Sequence, residues 1–260
     1  MNDIKCLAEG RSINGVPGSI PDGSTTSAKD IHVATIRAVD ANRIIKRLHY
    51  SGKVVPNSQI HLGVFLRGRL EGAIQFGPSI NKKGTRKLVQ NTGWNDFIEI
   101  NRLAFSERLP RNSESRAISV SIKIIKKEYP HIKWIVSFAD GTQCGDGAIY
   151  RASGFVLTDI RANSTLSTDP ATGEPMHKIQ AHHLMKSKEF RSWEPLKGFQ
   201  FRYIYFIDLE AKKNLTCEEI PFSKIDEMGA GMYLGKARGK QAMGSFQEPQ
   251  RQGSTDLHAP

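Results

Sequence analysis

Hydrophobic and polar positions along the chain fall into short blocks whose period switches between two and about three and a half. Residues 1 to about 30 are rich in Gly, Ser, Pro and Asp without periodicity and read as a flexible leader. His32 to Ile36 alternates as a first strand. Asp40 to Leu48 then places Ile44, Ile45 and Leu48 at helical spacing, with Asn42, Arg43, Lys46 and Arg47 outward. His61 to Phe76 predicts a β-hairpin turning at Arg67-Gly68-Arg69. Asn81 to Trp94 is polar and reads as a loop, and Phe97 to Phe105 alternates as a strand. Ile118 to Glu128 is an amphipathic helix with Ile118, Ile122 and Ile125 in one stripe. Asn112 or Ser113 is its N-cap, and Tyr129-Pro130 stops it.

The stretch from Ile132 to Phe155 organises the rest. Ile132 to Phe138 is almost continuously apolar and predicts a central strand buried on both faces. Asp140 ends it, and Gly141, Gly145 and Gly147 follow. Ala148 to Ser153 predicts a short helix closed by Gly154, and Phe155 to Ile160 another strand. This order sets polar groups at the carboxyl end of a central strand, where α/β sheets hold ligands. Residues 161–177 read as loop, 178–193 as helix, and Phe201 to Leu209 as the final strand; from Gly235 the chain reads as a disordered tail. The expectation is one α/β catalytic domain over residues 31–234. Its mixed central sheet is flanked by helices, and a basic loop–helix insertion at 161–200 precedes the last strand.

At 260 residues and 38% hydrophobic, the chain can bury one core, or one core and a small lobe. A formal net charge of +11 favours a polyanionic partner. No apolar run reaches the length needed to span a bilayer, and MNDIKCLAEG has no signal-peptide core. Cys6, Cys144 and Cys217 are odd in number, far apart and free of any CxxC spacing. That usage fits a reduced cytoplasm and argues against a thiolate zinc site.

Candidate chemistry comes with a plainer reading beside each functional one. His49, in the last helical turn, suits the negative end of the helix dipole as a cation, and Tyr50 suits simple packing. Lys82, Lys83, Arg86 and Lys87 fit a solvated loop or a phosphate-facing one. Arg102 interrupts an apolar strand, either on a solvent face or in a ligand pocket. Arg111, Ser113, Ser115 and Arg116 at a helix start fit an ordinary cap or an anion site. Seven Lys and Arg from Arg161 to Arg202, with His177, His182, His183 and Trp193, suit nucleic-acid binding. Adjacent His182 and His183 point apart on a helix and make a poor metal pair.

The order of elements resembles the GNAT acyltransferase superfamily. Five blocks resemble, within it, the Mom family of phage DNA-modification proteins: HYSGK (49–53), HLGVF (61–65), EINRLAF (99–105), LPRNSESRAIS (109–119) and SFADGTQCGDGAIYRASGF (137–155). The likeness covers roughly residues 40–160 and leaves out the leader, the insertion and the tail. It implies a GNAT-like sheet and conversion of adenine in DNA to its N6-carbamoylmethyl (acetamido) form, which protects phage DNA from host restriction. It also implies action in the host bacterial cytoplasm, and a homodimer is compatible with it. By resemblance the catalytic positions are His49, Tyr50, Asp140 and Tyr150. Arg102 and Ser115 also come by resemblance and fit donor binding, Arg111, Ser113 and Arg116 join them from the helix-start reading, and a His49–Asp140 pair would suit ferrous iron. Double-stranded DNA would meet Lys82, Lys83, Arg86, Lys186, Lys188 and Arg191.

One departure stands out. The glycine-bearing pyrophosphate motif of GNAT enzymes is absent, and the equivalent place reads PRNSESRA. Acetyl-CoA transfers through its carbonyl carbon, whereas a carbamoylmethyl group is joined through its CH2 and carries an extra nitrogen. The donor is therefore acetyl-CoA used through its methyl carbon, or another glycine-like acyl donor such as an aminoacyl-tRNA. Two other readings compete: an ordinary GNAT N-acetyltransferase, and a non-enzymatic DNA-binding antirestriction protein.

Overall fold

The computed structural model describes residues 26–184, 189–233 and 236–237; most of the leader, and the tail beyond 237, lie outside them. Strand β1 (Ile31–Thr35) is followed by helix α1 (Ala38–Leu48), then β2 (Ile60–Leu66) and β3 (Arg69–Gly77). Next come α2 (Lys82–Arg86), β4 (Phe97–Phe105), α3 (Ser113–Glu128), β5 (Trp134–Asp140), α4 (Ala148–Arg151) and β6 (Val156–Ala162). The insertion holds β7 (Leu166–Thr168), β8 (Pro175–His177) and α5 (Lys178–Leu184), and the chain returns as β9 (Phe199–Phe206). Helices α6 (Leu209–Lys213) and α7 (Ser223–Glu227) and a small hairpin of β10 (Met232–Tyr233) and β11 (Lys236–Ala237) follow.

Seven strands form one mixed sheet in the order β1-β2-β3-β4-β5-β9-β6. Only the β4–β5 pair is parallel; β9 enters between β5 and β6 and runs antiparallel to both. The expected mixed central sheet flanked by helices is met. The β2–β3 turn needs just Arg67 (φ 49°) and Gly68 (φ 75°), both left-handed, as a two-residue primed turn requires. Arg69 therefore belongs to β3 and not to the turn.

Several expectations change. The polar stretch 81–94 contains α2, whose amino end is capped by the Asn81 side chain. Residues 161–177 are not all loop, because β7 and β8 pair there, and the described residues of 178–193 hold α5 and a 3₁₀ turn, Glu189–Ser192. The central strand begins at Trp134: Ile132 is buried from the turn before it, its amide bonded to the Tyr129 carbonyl. The last sheet strand stops at Phe206, because Asp208 caps α6. Asn112 occupies the N-cap of α3 with φ 68° and makes no side-chain cap bond. The first tail residues past Gly235 pair as β11.

The main core lies on one sheet face, where α3 packs Ala117, Ile118, Ile122 and Ile125 against Ile98, Ile100, Ile135 and Tyr203. Gly154 takes φ 83° after α4, as expected of a helix-closing glycine. Gly147 is more constrained: at φ 82°, any Cβ there would collide with the Tyr203 ring. Gly147→Ala is expected to cost about 2 kcal/mol or more from left-handed strain and crowding together. Thermal melting checks this, and an unchanged midpoint would show that the loop can repack.

Candidate active site

Two packings on the opposite sheet face leave a strip uncovered between them. Over β3 and β4, helix α1 seats Ala41, Ile44 and Ile45 on Ala73 and Ala104. At the amino ends of β4 and β5, Val89 and Ala211 pack with Phe97, Trp134 and Val136. Strand alternation puts Glu99 of β4 and Phe138 and Asp140 of β5 on this face. A register shift opposite Gln75 and Phe76 returns Arg102 to it. β4 and β5 pair at Phe97–Glu99 with Trp134–Val136 and then diverge, opening a cleft through the sheet.

The end of α1 closes one side of that cleft. Arg102 Nε donates to the Lys53 carbonyl at 2.9 Å, pinning the 49–53 turn to β4. The Ser51 amide donates to His49 Nδ1 at 3.1 Å, and Ser51 Oγ lies 2.8 Å from the same nitrogen. An amide can only donate, so Nδ1 accepts and the neutral ring carries its proton on Nε2. Burial and then the Arg102 charge lower the His49 pKa to about 4. The helix-dipole cation expected of His49 is thus replaced by a neutral donor, and a base role would need the other tautomer.

A pH consequence follows. The unfolded chain takes up the His49 proton near pH 6.5 and the folded chain only near 4, so stability falls as pH drops across that window. Histidine NMR should show one ring neutral to below pH 5; a midpoint near 6.5 for His49 would restore the cation.

The His49 and Tyr50 rings lie 4.3 Å apart. Tyr50 is 50% exposed as a residue, yet its hydroxyl is enclosed: burial raises its pKa and the nearby Asp140 adds to the rise. Asp140 Oδ1 accepts from the Thr142 amide at 3.0 Å and from its hydroxyl at 2.5 Å. Tyr150, from α4 on the core side, is buried, and burial pushes its pKa up to about 12 despite the nearby Ser137 hydroxyl. Its ring packs 5.4 Å from both Phe155 and Tyr203. His49, Tyr50, Arg102, Asp140 and Tyr150 therefore converge from four elements.

The glycine loop that carries Asp140 is clamped from below. Asp146 pairs with Arg151 at 3.1 Å, with side chains 3% and 17% exposed. Arg151 also donates to the Asp146 carbonyl, which the Tyr203 hydroxyl caps as well.

Other expected positions lie elsewhere. Ser115 Oγ donates to the Asn112 carbonyl at 3.2 Å within the first turn of α3. Ser113 there is fully buried with its hydroxyl unpartnered, while Arg111 and Arg116 are exposed. Lys82, Lys83 and Arg86 sit by the amino end of β5, where Lys82 Nζ and Arg86 Cζ lie 4.9 and 5.7 Å from the exposed Trp94 ring. At about 3.3 Å per strand residue, that is roughly 20 Å from Asp140. Arg191 is exposed on the 3₁₀ turn, and Lys186 and Lys188 fall outside the described residues.

Sequence reasoning missed three cleft groups. Burial raises the Glu99 pKa, and a lone acid in an apolar strand was its only signal. Burial and the adjacent Asp140 push the Cys144 thiol up to about 12, so it stays protonated at neutral pH. His177, at the end of β8, feels Asp140 and Lys53, and burial lowers its pKa. It arrives there because Lys178 bonds back to Thr165 and Gln200, the register partner of Asp140, bonds the Thr165 hydroxyl. Nothing in the sequence predicts that folding-back of the insertion.

Among the described residues, no group of three or more His, Cys, Asp or Glu side chains could hold a metal ion. The His49 ring nitrogens are a hydrogen-bond acceptor and an N–H, so the expected His49–Asp140 pair does not make the donor set that ferrous iron takes. No helix among the described residues is long and apolar enough to cross a membrane.

The Mom protein family model matches residues 30–224. This chain belongs to the Mom family. Its Mom relative from Escherichia phage Mu, named methylcarbamoylase mom, is 36% identical over 200 residues, covering 73% of this chain and 80% of that protein. Solved structures similar to this Mom chain include the ribosomal-protein-S18-alanine N-acetyltransferase of Escherichia coli, at 12% identity and TM-score 0.42, covering 68% of this chain and 94% of that one. A Bacillus subtilis acetyltransferase in complex with CoA matches at 11% identity and TM-score 0.40, covering 68% and 97%.

Proposed function

We propose that this chain is a DNA-modifying transferase that converts adenine in DNA to N6-carbamoylmethyl (acetamido) adenine and so protects phage DNA from host restriction. The observation that carries the reading is the convergence of His49, Tyr50, Arg102, Asp140 and Tyr150 on one cleft in a Mom-family chain whose phage Mu relative is named a methylcarbamoylase. An occupancy-only DNA-binding protein has no use for a buried tyrosine and an oriented carboxylate there.

Adenine N6 is a poor nucleophile because its lone pair is delocalised into the ring. It attacks as its proton leaves, and Asp140, oriented through Oδ1 by Thr142, offers Oδ2 as the acceptor. With a glycyl ester as donor, N6 bonds to the glycyl carbonyl carbon as the bond from that carbon to the donor oxygen breaks. The glycyl amine then bonds to adenine C6 as the original N6 leaves C6 as the carboxamide nitrogen, which gives the isomeric carbamoylmethyl group with no oxidant. Tyr150 keeps its proton at neutral pH and donates it to the leaving group. The His49 Nε2–H and the Arg102 guanidinium supply hydrogen bonds to the carbonyl of the transferred group.

The donor, acetyl-CoA or another glycine-like acyl donor such as an aminoacyl-tRNA, is anionic in each case. The start of α3, with Arg111, Ser115 and Arg116, is where its phosphates would lie, whereas fully buried Ser113 is out of their reach. Iron carries no step in this scheme. Adenine in a duplex is paired and stacked, so it must be flipped out to reach the cleft. Lys82, Lys83 and Arg86 at one end, and Arg191 with Lys186 and Lys188 of the insertion, supply phosphate contacts. DNA affinity should therefore fall steeply with salt.

The test is nucleoside mass spectrometry on plasmid DNA from bacteria expressing the chain. A new adenine nucleoside bearing a carbamoylmethyl group is the expected result. Unmodified DNA from a soluble, DNA-binding protein would sink the transferase reading in favour of occupancy.

A further inference from the structure

Phe138 lies in an inner strand of a seven-stranded sheet and is nevertheless 49% exposed, between buried Ser137 and Ala139. The sequence predicts it buried on both faces, and the divergence of β4 removes the neighbour that would have covered it. Across β9 its register partner is Arg202, whose guanidinium is turned to β6. There Nε donates to the Thr158 hydroxyl and Nη2 to the Thr158 carbonyl, both at 2.9 Å. A large aromatic face is thus left uncovered inside the cleft. β5 pairs with β9 from Trp134 to Asp140 without a register shift, so Phe138 and Asp140 point the same way. Their Cα atoms are about 7 Å apart, two residues along a strand.

We propose that Phe138 is the platform on which the flipped adenine stacks, with its N6 edge turned to Asp140. This rests on the adenine-modification reading and adds where the base sits. A base leaving the duplex loses its stacked neighbours, and an exposed aromatic ring replaces one of them without regard to sequence. The carboxylate two residues on supplies selection: it accepts from an exocyclic amino group and repels the carbonyl oxygen that guanine and thymine present at the equivalent edge. Stacking on Phe138 also fixes the height of the base over the strand, so that N6 meets Asp140. The competing occupant of the ring is the acyl chain of the donor, which needs an apolar surface but no π face.

Full-length wild type, Phe138→Trp, Phe138→Leu and Phe138→Ala separate these cases. Each is scored by nucleoside mass spectrometry of plasmid DNA and by anisotropy with a short single-stranded oligodeoxyadenylate against an abasic oligonucleotide of the same length. Phe138→Trp should modify DNA within about threefold of wild type. Phe138→Leu and Phe138→Ala should lose about tenfold or more in both modification and preference for oligodeoxyadenylate, the scale of one base–aromatic stack. Thermal melts matching wild type exclude a folding cause, and Phe138→Trp serves as rescue. If Phe138→Leu modifies DNA as wild type does, the platform is overturned and the ring belongs to the donor, with the adenine reading intact. If wild type itself leaves DNA unmodified, the functional reading fails and the platform with it.

Discussion

Asp140→Asn is expected to lower the modified fraction of adenine in plasmid DNA by at least about a hundredfold, the usual scale for removing a positioned proton acceptor. Asparagine keeps the volume, and its carbonyl oxygen can still take the Thr142 amide and hydroxyl bonds that orient Asp140. What it cannot do is accept the N6 proton. The loss should therefore come without a change in melting temperature or in salt-dependent DNA binding. Glu99 also lies on the uncovered strip, and burial raises its pKa. Modification above about a tenth of wild type in Asp140→Asn would move the acceptor role there. Tyr150→Phe is the companion: its ring packing on Phe155 and Tyr203 survives, while the proton donor is gone.

Asp146→Ala is expected to cost roughly 3–5 kcal/mol, because it strands the Arg151 guanidinium in a largely buried place. For a chain of this size that corresponds to a fall of about 10 °C in the thermal midpoint. The damage should extend to function, since the same clamp holds the loop between Asp140 and α4 through the Asp146 carbonyl, Arg151 and Tyr203. Removing both charges, as in Asp146→Ala with Arg151→Met, should recover part of the stability, because no uncompensated charge is then left inside. A single-variant fall of only a degree or two would mean that water reaches Arg151.

Much of this molecule is written locally. The apolar run before Asp140, the glycine after α4 and the alternation of β4 each act through the backbone of a few neighbouring residues, so their elements could be placed from the chain alone. The cleft was legible in part for another reason: its blocks carry the Mom-family resemblance, and residues 30–224 do match that family. Where local pattern misled, a long-range contact decided. His49 reads as a cation at a helix end, but the turn that follows aims Ser51 at Nδ1 and Arg102 comes from a distant strand. The 161–177 loop reads as featureless, yet pairing of β7 with β8 carries His177 to the Asp140 side of the cleft.

The sequence by itself determined most elements outside residues 81–94 and 161–200, the basic character and the family, because periodicity, charge and motif spacing are properties of neighbours along the chain. The tertiary structure alone decided which polar groups share the cleft, which charges survive there and which ring is left bare. Those depend on the divergence of β4 from β5 and on the entry of β9 between β5 and β6. Both are set by packing between residues far apart in the chain, and Phe138 shows the consequence: its strand reads as wholly buried, and only the missing neighbour exposes it.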